Sequence, residues 1–226
     1  MKFADIVRLF GDKAWFDFEM VLLLSGEAAP CVHTALYRLR ESGKIVELRR
    51  GLFTLAEPWR HRGLGAGAAP AFAASLSAAI YPPSYLSGRW VLEACGALRP
   101  APRDQGSLPE FSAVTARPAK VFENSFGRYS YDTLPRDLLF GAMTKLAGGE
   151  RLRLAFPEKA LLDFCFLQGG DWDEARFEAE GFSTETSDGR LNLERLGAFA
   201  ARAGRPRLAR AAEAFARLAA REGASL

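Results

Sequence analysis

Residues 30–55, PCVHTALYRLRESGKIVELRRGLFTL, constrain the fold more than any other stretch of the chain. Val32, Leu36 and Leu39 fall at i, i+4 and i+7, so a helix here has one apolar face, while Thr34, Tyr37, Arg38 and Glu41 point away from it. Pro30 suits the first turn of that helix because its fixed φ is already helical, and Ser42-Gly43 ends it. Two short apolar runs follow, residues 45–48 and 52–55, around Arg49-Arg50-Gly51. Gly51 can take the positive φ that a tight hairpin needs. The spacing therefore predicts a helix leading directly into a hairpin with a basic tip.

Upstream, Ile6, Leu9 and Phe10 recur at helical spacing and Gly11 stops them. Asp17 is placed to cap a second helix through Val21 and Leu24, with Ser25-Gly26 as its exit. Three helices and a hairpin within about 55 residues is the order of a winged helix-turn-helix, with the third helix for recognition and the hairpin as wing. On that reading His33, Thr34, Tyr37 and Arg38 are candidates for reading base edges in the major groove. Arg40, Lys44, Arg49 and Arg50 are the candidates for phosphate contacts, which position a protein without reading sequence.

Charge supports a local basic surface rather than a basic protein. The 226 residues carry a formal net charge of only +3. Between Cys31 and Arg62, seven Lys/Arg (38, 40, 44, 49, 50, 60, 62) face three acids (41, 47, 57), a local excess of four. The remainder is slightly acidic, so the nucleic-acid reading rests on where the charge sits.

Residues 61–71, HRGLGAGAAPA, read as a linker. Their Gly-Leu-Gly-Ala-Gly-Ala run is only a loose match to a dinucleotide fingerprint. No strand feeds it, and Ile80-Tyr81-Pro82 stands where an acid is wanted, so no cofactor is expected there. Downstream, residues 72–80 read as an Ala-rich helix, and Ser84 reads as the N-cap of a helix carrying Leu86, Trp90, Leu92 and Cys95. Strands are predicted at 111–117, in a hairpin about Gly127, and in a pair about Gly148-Gly149 whose second member alternates Arg151, Leu152, Arg153, Leu154. Pro157 opens a strongly apolar helix, EKALLDFCFL. From about residue 191 the chain turns helical again, ending in a helix with Leu208, Ala212, Phe215 and Ala219 on one side and Arg210, Arg217 and Arg221 opposite.

The expected class is α+β: a winged helix-turn-helix over 1–60, the linker at 61–71, then a mixed α+β domain over 72–226 with a mainly antiparallel sheet and a helical C-terminal tail. No run is apolar enough for a membrane span, and the first residues do not read as a signal peptide, so a cytoplasmic protein is expected. Cys31, Cys95 and Cys165 are too few and too far apart for a disulfide framework or, with only His33 and His61 beside them, a zinc site; they read as buried or half-buried free thiols.

No catalytic set, metal site or cofactor site is expected. Asp171 and Asp173 stand two apart after Gly169-Gly170, a spacing that can hold a divalent ion, but in nucleotidyl-transfer chemistry the acids lie on a strand further on. A surface loop explains them, and the macrodipole of the helix opened by Pro157 explains Glu158 at its N-terminus.

LRESGKIVELRRGLFTL resembles the N-terminal domain of AbiEi-type antitoxins and their transcription-regulator relatives. IYPPSYLSGRWVLEACG, the central hairpins and RLRLAFPEKALLDFCFL resemble the second domain of that family, most specifically at PPSYLS and PEKALLD. The likeness covers roughly residues 1–168 and fades after Gly169. It implies a non-enzymatic repressor of its own operon. For such a repressor, binding to an inverted repeat of double-stranded DNA as two copies is expected, the protein itself being a monomer or weak dimer. The likeness also implies neutralisation of a nucleotidyltransferase-like toxin, with Ser84-Tyr85-Leu86 and residues 157–163 as framework. Two other functions fit the residues: a protein-interaction scaffold using the same N-terminal fold without DNA, and a metal-dependent nucleotide-acting enzyme working through Asp171 and Asp173.

Overall fold

A computed structural model describes residues 1–102, 104–186 and 189–223. The chain begins with α1 (Phe3–Phe10), β1 (Phe16–Asp17), α2 (Phe18–Ser25) and α3 (Ala29–Glu41), followed by β2 (Ile45–Arg49) and β3 (Leu52–Leu55). Asp17 caps α2 as its sequence position predicts, accepting the Met20 N–H at 2.8 Å. β1 was not foreseen: Phe16 and Asp17 pair with Phe53 and Leu52, giving a three-stranded antiparallel sheet in the order β1-β3-β2. Ile6, Phe10, Phe16, Val21, Val32, Leu36, Leu39, Ile45, Phe53 and Leu55 form one apolar core under the three helices. Stacking of Phe10 on Phe16, with ring centroids 4.6 Å apart, joins α1 to that sheet.

After α4 (Pro58–His61) the 61–71 segment is packed, which its composition does not announce. Arg62 makes a 2.7 Å ion pair with Glu150 and lies over the Phe72 ring. Ala71 and Leu64 sit against the Gly148-Gly149 turn, and a Cβ on Gly148 would come within 2.8 Å of that of Ala71.

The remaining elements are α5 (Ala69–Ile80), β4 (Ser84–Leu86), α6 (Arg89–Ala94), β5 (Glu110–Thr115), β6 (Lys120–Asn124), β7 (Gly127–Thr133), β8 (Ala142–Ala147), β9 (Glu150–Ala155), α7 (Pro157–Gln168), α8 (Glu174–Glu180), β10 (Glu185–Thr186), β11 (Gly189–Arg190), α9 (Leu193–Ala203) and α10 (Pro206–Gly223). Helix makes up 47% and strand 22%, so the chain is mixed α+β.

Six strands form a sheet in the order β6-β7-β5-β4-β9-β8. Its hairpins are the two read from sequence: Asn124 pairs with Gly127, and Ala147 with Glu150. A side chain at Gly127 would meet Phe111 and the Pro109 carbonyl at 2.6 Å, which is why glycine stands at that turn. The six-stranded sheet is mixed: three of its five joins are antiparallel, while β4–β9 and β5–β7 are parallel. One expectation needs correction. Ser84 is not a helix cap: Ser84–Leu86 is a central strand between β5 and β9, and α6 starts after Gly88.

Helix α5 is fixed to the sheet by two buried tyrosines: Tyr129 donates to the Ala73 carbonyl at 2.9 Å and Tyr131 to that of Ser77 at 2.7 Å. Helix α10 docks through Leu208, Ala212, Phe215 and Ala219, the stripe read from sequence. The two parts of the chain share apolar contact, since Leu48 and Leu52 belong to the larger core. Asn124 also donates to the Leu48 carbonyl.

Candidate nucleic-acid interface

Helices α2 and α3 are joined by residues 26–28 and bend by 120°. Gly26, at φ 67°, makes the reversal. The burial of Val32, Leu36 and Leu39 turns the other side of α3 outward, as the spacing predicts. His33, Thr34, Tyr37, Arg38 and Arg40 are all exposed. Tyr37 is 59% exposed, so it does not pack under the hairpin.

Four of these side chains have local partners. His33 stacks on Phe18, centroids 4.1 Å apart. The exposed Thr34 donates its hydroxyl proton to the Pro30 carbonyl at 2.9 Å. Arg40 donates to Glu47 at 2.8 Å and to Glu41 at 3.2 Å, and its guanidinium lies over the Tyr37 ring. Those hydrogen bonds, Glu47 first, hold the Arg40 pKa above the ordinary arginine value. Arg38 makes no ion pair among the described residues.

The hairpin turns at Arg50-Gly51, with Gly51 at φ 76°. Arg50 is exposed and also makes no ion pair among the described residues. Glu47 accepts the Gly51 N–H at 3.1 Å, so one carboxylate holds both the hairpin tip and Arg40. Lys44, at the base of the hairpin, is exposed with its ammonium 5.4 Å from the Phe3 ring centroid.

Arg49 does not stand with the other phosphate candidates. Its Nε donates to the Ile80 carbonyl at 2.8 Å and Nη1 to the Arg50 carbonyl, so it is turned inward and ties the hairpin to α5. A carbonyl 31 residues away set its direction. The structure therefore brings together His33, Thr34, Tyr37, Arg38, Arg40 and Arg50 on or beside α3, with Lys44 at the margin.

Two clefts flank α3. One, of about 300 Å³, lies between α3 and the hairpin and is lined by Phe18, His33, Tyr37, Arg40 and Arg50 among others. The other, of about 450 Å³, lies towards the N-terminus, with Lys2, Phe3, Thr34 and Arg38 on its walls. Phe18 and Glu47 are members of this surface that sequence reasoning missed. Phe18 had no role in the sequence reading, and Glu47 entered it only as a charge subtracting from the basic total.

The other sequence candidates have structural partners. Asp173 caps α8, accepting the Arg176 N–H at 2.8 Å, and Asp171 pairs with Arg210 at 3.0 Å. Arg217 and Arg221 pair with Glu174 and Glu178, so the basic side of α10 meets acids rather than an open surface. Among the described residues no group of three His, Cys, Asp or Glu side chains is arranged to hold a metal ion. The PPSYLS and PEKALLD segments meet inside the fold: Ser87 donates to Asp163 at 2.7 Å, Asp163 pairs with Lys159, and Lys159 lies 3.5 Å from the Tyr85 hydroxyl. Burial, the largest influence on each, raises the Asp163 pKa and lowers that of Lys159. Cys165 is buried and Cys95 half-buried as expected, but Cys31 is exposed on α3. No single helix among the described residues is long and apolar enough to cross a membrane.

No protein-family model matches the chain, and no curated protein or solved structure is significantly similar to it.

Proposed function

We propose that residues 1–60 are a winged helix-turn-helix and that the protein is a DNA-binding transcriptional regulator. The observation that carries this reading is the exposed face of α3, where Arg38 and Arg50, neither ion-paired among the described residues, flank Thr34 and Tyr37. A three-residue turn and a 120° bend between α2 and α3 are the geometry in which a second helix enters the major groove while the first crosses the backbone. Thr34 and Arg38 read base edges there, with Tyr37 and His33 packing against them. Arg50 and Lys44 meet phosphates, and Arg40 is held by Glu47 as part of the surface.

The second half of the proposal rests on the sequence resemblance at PPSYLS and PEKALLD: an antitoxin that represses its own operon and restrains a nucleotidyltransferase-like toxin. Buried contacts among Tyr85, Ser87, Lys159 and Asp163 support a framework role for those motifs.

An electrophoretic shift with duplex DNA from upstream of the protein's own gene tests the first half. Thr34→Ala and Arg38→Ala are expected to lose roughly 1–3 kcal/mol at particular base pairs, read as relaxed preference at those positions. Equal loss on every sequence would contradict base reading by α3.

A further inference from the structure

A further cavity lies away from α3. It has a volume of about 480 Å³ and is enclosed by α6, the β8–β9 hairpin and the first turns of α7 and α9. Trp90, Val91, Met143, Leu152, Leu154 and Phe156 make its walls largely apolar. This is the size and lining of a small-molecule site, in which a few polar groups fix orientation.

One polar group at this cavity is unusual. Glu158 is only 3% exposed. Its Oε1 accepts the Asn192 N–H at 2.8 Å, but Oε2 has no hydrogen-bond partner among the described residues. Arg195, which stacks on Phe156, stands 3.5 Å from Oε2 as an ionic neighbour without a hydrogen bond. A buried carboxylate oxygen lacking a donor is costly, and a ligand that supplies one recovers that cost.

We infer that this cavity binds a small organic cation: an apolar body held by Trp90, Leu152 and Leu154, carrying a protonated amine that donates to Glu158 Oε2 as Arg195 swings outward. The 38% exposure of the Arg195 side chain gives it room to do so. A carboxylate in the same place would face Glu158 and is rejected. The site is independent of the proposed DNA contact, and its test does not involve DNA.

Cys95 also lines the cavity, which provides a direct readout. In a Cys31→Ser background Cys95 becomes the accessible thiol, since Cys165 is buried. Its alkylation rate is measured with 2-phenylethylamine, 3-phenylpropanoate or 2-phenylethanol present, alongside the thermal unfolding midpoint. The amine is expected to slow alkylation at least tenfold and raise the midpoint, with little effect from the acid. Ala94→Trp, which fills the cavity from an exposed position on α6, is expected to abolish both effects. Glu158→Gln, which keeps an acceptor for the Asn192 N–H, is expected to reduce the amine to the level of the alcohol. The inference is overturned if no compound protects Cys95, if amine and acid protect equally, or if amine protection survives Ala94→Trp.

Discussion

Glu47 is the residue whose charge and position argue in opposite directions. It is an acid beside a surface proposed to meet phosphates, so charge alone predicts that removing it strengthens DNA binding. Its contacts predict the reverse, because it holds Arg40 and the Gly51 N–H together. Glu47→Ala is expected to weaken binding several-fold in a titration of duplex DNA, since the hairpin tip and Arg40 lose their common anchor. Tighter binding by the variant would show that Glu47 acts only as a charge. The Lys159–Asp163 pair is the corresponding case in the interior, where both residues are 2% exposed. Asp163→Ala leaves a buried ammonium and the Ser87 hydroxyl without their acceptor, and is expected to cost roughly 3–5 kcal/mol in chemical denaturation. Lys159→Met with Asp163→Leu is expected to regain most of that loss; a single variant as stable as wild type would show that the pair is not the buried tie described.

At the scale of elements, the seat of α5 on the sheet makes stability fall at high pH. Burial pushes the Tyr85, Tyr129 and Tyr131 phenols well above the ordinary tyrosine value of 10.0, and the Cys165 thiol above 9.0. Below those ordinary values the groups are neutral in both folded and unfolded chains, so their contribution is fully present. As pH rises past them the unfolded chain releases protons that the folded one keeps, and stability is lost. Unfolding free energy is expected to drop progressively from about pH 9 upward, and Tyr129→Phe to make the drop shallower. A flat profile to pH 11 would contradict the buried, protonated phenols.

The elements also show where sequence is informative. α3, the β2–β3 hairpin and the Gly127 and Gly148-Gly149 turns carry their patterns within a few neighbouring residues, and all stand where periodicity puts them. β1 and β4 do not, because strands of two and three residues have no period and exist through distant partners: Phe53 for Phe16, and Val114 and Leu154 for Tyr85 and Leu86. The parallel joins are invisible for the same reason. In the candidate interface, exposure was legible from spacing, while the division between the inward Arg49, the tethered Arg40 and the outward Arg38 and Arg50 depends on Ile80 and Glu47, which no local pattern names.

For the whole molecule, charge placement connects the two halves. The basic side of α10 is occupied by Asp171, Glu174 and Glu178, whereas Arg38 and Arg50 on the α3 and hairpin surface are exposed and make no ion pair among the described residues. That surface is joined to the larger unit through Arg49 on Ile80 and Asn124 on Leu48, so α3 is presented from a packed body. The measurement that tests the central claim most directly is fluorescence anisotropy of duplex DNA from upstream of the protein's own gene, repeated between about 50 and 200 mM salt. The account predicts an affinity that falls linearly on logarithmic axes, with a slope that flattens by about two in the Lys44→Ala/Arg50→Ala double variant. No binding at the lowest salt, or a double variant with wild-type affinity and slope, would contradict it.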